Sequence, residues 1–310
     1  MAKRQKKKNK LIMSVIVVII LFLMTLLGAN PDFINKICET IGIEKIAKTQ
    51  ETVNTQKNIQ NFNQDLKIYF IDVGQADSIL VINKDQSMLI DAGNNDDGDL
   101  VVNFIKEKQI TKLNYVIGTH PHEDHIGGLD DVINNIEIEK LYLPKQKTNT
   151  KTFEDVLDAV ENKGLNISSL KKGDIFKLGD ATVETMTDSI LDDSNLNLSS
   201  NILKLTYGNN SFLFTGDAET KNEQTGNWGH VDLLKVGHHG SKTSSSSNFI
   251  KSLSPKYAII MVGKDNSYGL PKDEIVKRLE NAGCQIYRTD RSGTIEVTSN
   301  GNEILINTEK

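Results

Sequence analysis

Two cysteines in 310 residues, Cys38 and Cys284, are too few for a disulfide scaffold, and neither sits in a Cys-x-x-Cys spacing suited to zinc or redox work. Aromatic residues are scarce, 6% of the chain with Trp228 the single tryptophan, which leaves little from which to build an aromatic cage for a quaternary amine. An excess of positive charge is also missing, since 36 basic against 41 acidic side chains give −5. Residues 1–10 carry six of the basic side chains and no acidic ones, so the remainder holds 30 against 41, or −11. Such a surface exerts no general pull on polyanions, and a phosphate-bearing substrate has to be held locally. Otherwise the composition is that of a globular protein, 38% hydrophobic and 25% charged, long enough for one large domain or two modest ones.

The early basic residues, Lys3, Arg4, Lys6, Lys7, Lys8 and Lys10, precede an uncharged run from Leu11 to Leu27 whose only polar residues are Ser14 and Thr25. At roughly 1.5 Å per residue, positions 11–29 approach the ~30 Å thickness of a bilayer core. They read as a single-pass transmembrane anchor, with residues 1–10 a cytoplasmic basic tail and the rest extracellular at the cell membrane. A cleaved signal peptide is the alternative, because Gly28-Ala29 supplies small residues, but the apolar run exceeds the ~7 to 15 residues of such a segment. Residues 30–65, rich in Asn, Gln, Lys and Thr, read as a polar linker.

From residue 66 to 310 short apolar runs alternate with turns. The spacing predicts strands over 67–74, 77–82, 87–91, 113–117 and 140–143, with helices over 100–108, from Gly127 to Ile136, and over 152–161 started by Thr152. A second half follows, with strands over 174–178, 181–186, 201–207, 211–215, 232–236, 257–262, 285–287 and 294–297, and helices from about Ser246 and from Pro271 to Ala282. Two halves of strands followed by helices imply two packed sheets with helices outside.

His120-Pro121-His122-Glu123-Asp124-His125 places three of the chain's six histidines and two carboxylates in six residues, just past the apolar run Tyr115-Val116-Ile117. On a loop leaving a strand end, His120 and His122 can face one metal while Asp124 and His125 face a second, with Gly127 and Gly128 letting the backbone curl beneath. Two metals ~3.5 to 4 Å apart lower the pKa of a bridging water and steady transition-state charge. Further ligands are expected where apolar runs stop, and two runs end suitably: Phe212-Leu213-Phe214-Thr215-Gly216-Asp217 and Leu233-Leu234-Lys235-Val236-Gly237-His238-His239.

These residues resemble the metallo-β-lactamase-fold hydrolases, and among them the hydrolase-like domain of the ComEC competence proteins. The likeness rests on Phe70-Ile71-Asp72-Val73-Gly74-Gln75-Ala76-Asp77-Ser78, Leu89-Ile90-Asp91-Ala92-Gly93, the histidine cluster, Gly216-Asp217-Ala218-Glu219 and His238-His239-Gly240-Ser241, in that order. It implies an αββα four-layer sandwich holding two divalent metal ions. By resemblance His120 and His122 bind the first metal, Asp124 and His125 the second, Asp217 bridges them, and His238 completes the second site. His239 would orient its neighbour or meet the substrate, and Asp91 would hydrogen-bond behind the metal loop. Lys242 and the hydroxyls of the 241–247 run would hold a phosphate oxygen, or else form a loop and a helix cap; Asp124, His239 and Lys242 are the candidate catalytic residues.

Three departures stand out. Ser199-Ser200-Asn201 lies where many members place a further histidine, which weakens the preference for zinc and leaves room for manganese. Leu270 replaces the histidine of Tyr-Gly-His-Pro, and Ala76 replaces a glycine. The expected function is a membrane-anchored, extracytoplasmic phosphodiesterase acting through a metal-bridged hydroxide, with DNA the substrate that the competence likeness suggests. The alternatives are a phosphorylcholine esterase or other cell-envelope phosphodiesterase, and a non-catalytic binding module with a degraded metal site.

Overall fold

The computed structural model describes residues 65–310. The expected basic tail and anchor, with nearly all of the linker, lie outside them; among the described residues no helix is long and apolar enough to cross a membrane. In chain order the elements are β1 Leu66–Phe70, β2 Ile79–Asn83, β3 Gln86–Ile90, α1 Gly98–Glu107, β4 Lys112–Ile117, α2 Glu123–Ile126, α3 Leu129–Asn135, β5 Glu137–Tyr142, α4 Lys151–Asn162 and β6 Ile167–Ser168. The second half comprises β7 Ile175–Leu178, β8 Ala181–Thr185, β9 Leu203–Tyr207, β10 Asn210–Phe214, α5 Thr220–Glu223, β11 Leu233–Lys235, α6 Ser247–Leu253, β12 Tyr257–Ile260, α7 Asp273–Asn281, β13 Gln285–Arg288, α8 Thr289–Ser292, β14 Ile295–Ser299 and β15 Ile304–Thr308.

Eight strands in the order β15-β14-β1-β2-β3-β4-β5-β6 form one sheet, and seven in the order β13-β12-β11-β10-β9-β8-β7 form the other. Alternating side chains go to opposite faces of a strand. On β10 this sends Phe212 and Phe214 inward between the sheets and Leu213 outward toward α6 and α7. Phe70, Met88 and Ile117 meet the two phenylalanines from the facing sheet. Outside the first sheet, Val101 and Ile105 of α1, Val132 of α3 and Val156 of α4 cover Leu89 and Val116. The result is the expected αββα sandwich, each sheet buried on both faces.

Differences from the sequence reading are local. The helix foreseen from Gly127 is α3, which begins at Leu129; the histidine loop before it winds into the short helix α2, which was not foreseen, and Gly127 and Gly128 lie between the two. Helix α4 starts at Lys151, one residue before Thr152, because the Thr150 hydroxyl caps it by accepting the Phe153 N–H at 3.4 Å. The edge strand β15 was not foreseen: its Asn307 and Thr308 dilute the apolar signal, and only β14 pairs with it.

Phe212→Ala removes a fully buried ring from the layer between the sheets. Denaturant unfolding is expected to show a loss of about 3–5 kcal/mol; a loss below about 1 kcal/mol would mean that the two sheets do not share a packed core.

Candidate metal centre

Strands β3 and β4 run parallel, as do β10 and β11, so each pair ends at one edge of its sheet. The loops leaving those four ends carry Asp91, the histidine cluster, Asp217 and the His238-His239 pair. Close backbone packing needs the two glycines after the cluster. A Cβ on Gly127 would stand 2.3 Å from the Asn94 carbonyl carbon, and one on Gly128 2.5 Å from the Ala92 oxygen.

Asp91, at φ +59, aims its carboxylate into the neighbouring loop. It accepts the Thr119 N–H and hydroxyl, both at 2.7 Å, and lies 2.8 Å from His125 Nδ1. Donation from Nδ1 leaves His125 Nε2 free to face Asp217 Oδ1 at 3.2 Å. The His239 ring is fixed in the same way: Nδ1 lies 2.9 Å from the Met261 carbonyl, and Nε2 lies 3.2 Å from Asp124 and 3.6 Å from Asp217. Asp124, His125, Asp217 and His239 thus bring one ligand atom each to within 4.8 Å of one another. His120 and His122 stand beside them, with Nε2 of the first 2.9 Å from Nδ1 of the second.

The second histidine pair is arranged differently from the sequence expectation. His239, not His238, joins the acidic set. Both residues have φ +50, so their rings diverge from a tight left-handed turn. His239 is buried against the end of β12, whereas half-buried His238 turns to Thr243 Oγ1 at 2.9 Å and Glu219 at 3.6 Å. His238 still approaches Asp217 with Nε2, at 3.6 Å, from the other side.

Most hydroxyls of the 241–247 run are used internally. Ser244 donates to the Gly237 carbonyl at 2.6 Å, and Ser246 caps α6 by accepting the Phe249 N–H. Lys242 is exposed at the rim. Ser200, of the Ser199-Ser200-Asn201 stretch, accepts the Asp217 N–H at 3.2 Å, and Leu270 packs on the apolar cluster outside the second sheet. The structure adds Asp77 and Lys235, both fully buried and paired beneath the site. Asp77 lies in the Phe70–Ser78 motif and Lys235 in the run leading to His238, but neither was singled out as a site residue, because nothing in their spacing shows that they meet.

Burial sets the baseline for every group here. It pushes the His120 imidazole well below its usual range, helped by the charge of His125, and it lowers His122 as well. For His125 and His239 burial acts downward too, but carboxylates prevail and hold both above the ordinary value: Asp217, Asp91 and Asp124 for His125, and Asp217, Asp124 and Asp77 for His239. Burial would raise Asp217 and Asp124; the imidazoles, His125 foremost, hold both below the carboxylate range. His125 Nε2 and Asp217 Oδ1 are buried and, although 3.2 Å apart, make no well-aligned hydrogen bond with each other or with any other group. Orphaned nitrogen and oxygen donors amid several carboxylates fit a divalent cation, and the donor set suits zinc or manganese.

Residues 71–264, more than half of the chain, match the metallo-beta-lactamase superfamily. The chain is 32% identical over 252 residues to ComE operon protein 3 of Bacillus subtilis, covering 74% of this chain and 32% of that protein. It is 28% identical over 236 residues to Recombination protein 2 of Haemophilus influenzae, 73% and 28%, and 26% identical over 235 residues to Competence protein ComA of Neisseria gonorrhoeae, 73% and 31%. It therefore spans about a third of the length of these curated relatives. Among solved structures, the metallo-beta-lactamase fold protein YhfI of Bacillus subtilis superposes with TM-score 0.52 at 12% identity, over 75% of this chain and 100% of that one, a likeness of fold. Sandwich, histidine cluster and sequence match agree, and the chain belongs to the metallo-beta-lactamase superfamily.

Proposed function

We propose that this is a membrane-anchored phosphodiesterase working outside the cytoplasm with two divalent metal ions, zinc or manganese, and with DNA as substrate. The observation that carries the reading is the buried set Asp124, His125, Asp217 and His239, with unpartnered donor atoms on His125 and Asp217. A relative named as a competence protein supports the substrate, and the uncharged run over 11–29 supports the anchor.

In this reading Asp124, His125, Asp217 and His239 hold one metal, and His120, His122 and Asp217 hold the other. Bound metals would supply a Lewis acid and a water nucleophile active near neutral pH. The chain's own work is orientation. Asp91 and the Met261 carbonyl fix the Nδ1 side of His125 and His239, so each presents Nε2 to the carboxylates. Half-buried His122 lies toward solvent, and exposed Lys242 stands ready for a phosphate oxygen. A net charge of −11 beyond residue 10 favours a small or zwitterionic phosphodiester over a long polyanion, so a cell-envelope phosphodiester is the second reading.

The full-length chain is expected to carry two equivalents of manganese or zinc by elemental analysis and to hydrolyse bis-p-nitrophenyl phosphate. His122→Ala should lower kcat/KM about a hundredfold or more, the scale of losing a group that stabilises transition-state charge. Metal-free, inactive protein would leave a binding module in place of an enzyme. Hydrolysis of the model diester with none of DNA would favour the envelope substrate.

Asp91→Asn replaces the acceptor of the His125 Nδ1–H by an amide. Calorimetric titration is expected to show about a 10- to 100-fold loss of metal affinity with the far-ultraviolet circular dichroism unchanged. Unaltered affinity would remove Asp91 from its orienting role.

A further inference from the structure

Beneath the candidate ligands lies a buried ion pair that the proposed chemistry does not use directly. Lys235 is 0% exposed at the end of β11, and its Nζ pairs with the Asp77 carboxylate. The same ammonium donates to the Gly216 carbonyl at 3.0 Å and stands 3.9 Å from Asp217 Oδ1. The Lys235 carbonyl accepts the Thr215 hydroxyl at 2.8 Å. Lys235 is therefore tied to both residues that precede Asp217. Gly216 has φ +50, and a Cβ there would meet Thr119 Oγ1 at 2.8 Å, so this turn is closely confined.

Asp77 makes the matching ties to the first sheet. Its N–H donates to the Asp124 carbonyl at 3.0 Å, and its carbonyl accepts the Gly93 N–H at 2.9 Å. Its Oδ1 has no hydrogen-bond partner and lies 3.5 Å from His239 Nδ1. The pair thus joins the loop bearing Asp124 to the turn bearing Asp217 across the seam between the sheets. Burying two charges carries a desolvation cost that their attraction offsets only in part, so a pair of this kind is not accounted for by stability alone.

We infer that Lys235 and Asp77 are positioning residues for Asp217. They hold the Gly216–Asp217 turn and the Asp124 loop in register before a metal arrives, so that binding requires little rearrangement. This inference rests on the metal-site reading above.

The test measures manganese and zinc binding to the full-length chain by calorimetry, together with the thermal midpoint without metal. Asp77→Asn with Lys235→Met removes both buried charges and leaves the net charge unchanged. The double variant is expected to keep or raise the metal-free midpoint while binding about 10- to 100-fold more weakly, as when the support of a ligand is lost. Should it fail to fold, Asp77→Asn with Lys235→Gln, which keeps a donor near the Gly216 carbonyl, carries the same comparison. Wild-type affinity in either folded variant would overturn the inference. A wild-type chain that binds neither metal would overturn the metal-site reading itself, and the inference with it.

Discussion

Four carboxylates, those of Asp77, Asp91, Asp124 and Asp217, converge where the two sheets meet, and three of them are almost fully withdrawn from water. Charge of one sign cannot be buried at that density without a counter-charge. One ammonium, Lys235, lies among them, and the imidazoles of His125 and His239 are held above their usual range by the same crowding. The left-handed turns at Asp91, Gly216, His238 and His239 and the glycine-lined approach of the histidine loop can be understood as the means of bringing these groups together. A site that collects negative charge around unpartnered imidazole nitrogen is one that a divalent cation would complete.

The sandwich places that charge at an edge instead of within a layer. Each sheet is covered by helices on its outer face and by the other sheet on its inner face, so the loops at strand ends remain available for chemistry. Parallel pairing of β3 with β4 and of β10 with β11 sends four of those loops to the site. Ser200 supports the backbone of Asp217 by accepting its N–H, and Leu270 joins an apolar cluster.

Much of this arrangement was legible in the sequence because its signals are dense or periodic. The continuous apolar run Phe212-Leu213-Phe214 marks β10 as a strand buried on both faces, and the histidine cluster marks the loop after β4. Other features depend on contacts that spacing does not encode. Whether His238 or His239 turns inward is decided by a left-handed backbone and by the Met261 carbonyl, 22 residues away in sequence. Lys235 looks like the polar end of an apolar strand until Asp77 is brought against it from 158 positions away. Helix α4 begins one residue early because Thr150, an unremarkable loop residue in the sequence, supplies the cap in place of Thr152. Edge strand β15, half polar, becomes a strand through its pairing with β14.

Anomalous diffraction from crystals of the full-length chain grown with manganese, and separately with zinc, tests the metal centre most directly. Two peaks are predicted, one touching Asp124, His125, Asp217 and His239 and the other touching His120, His122 and Asp217. An absence of anomalous density among these residues at saturating metal, or metal held by other side chains, would contradict it.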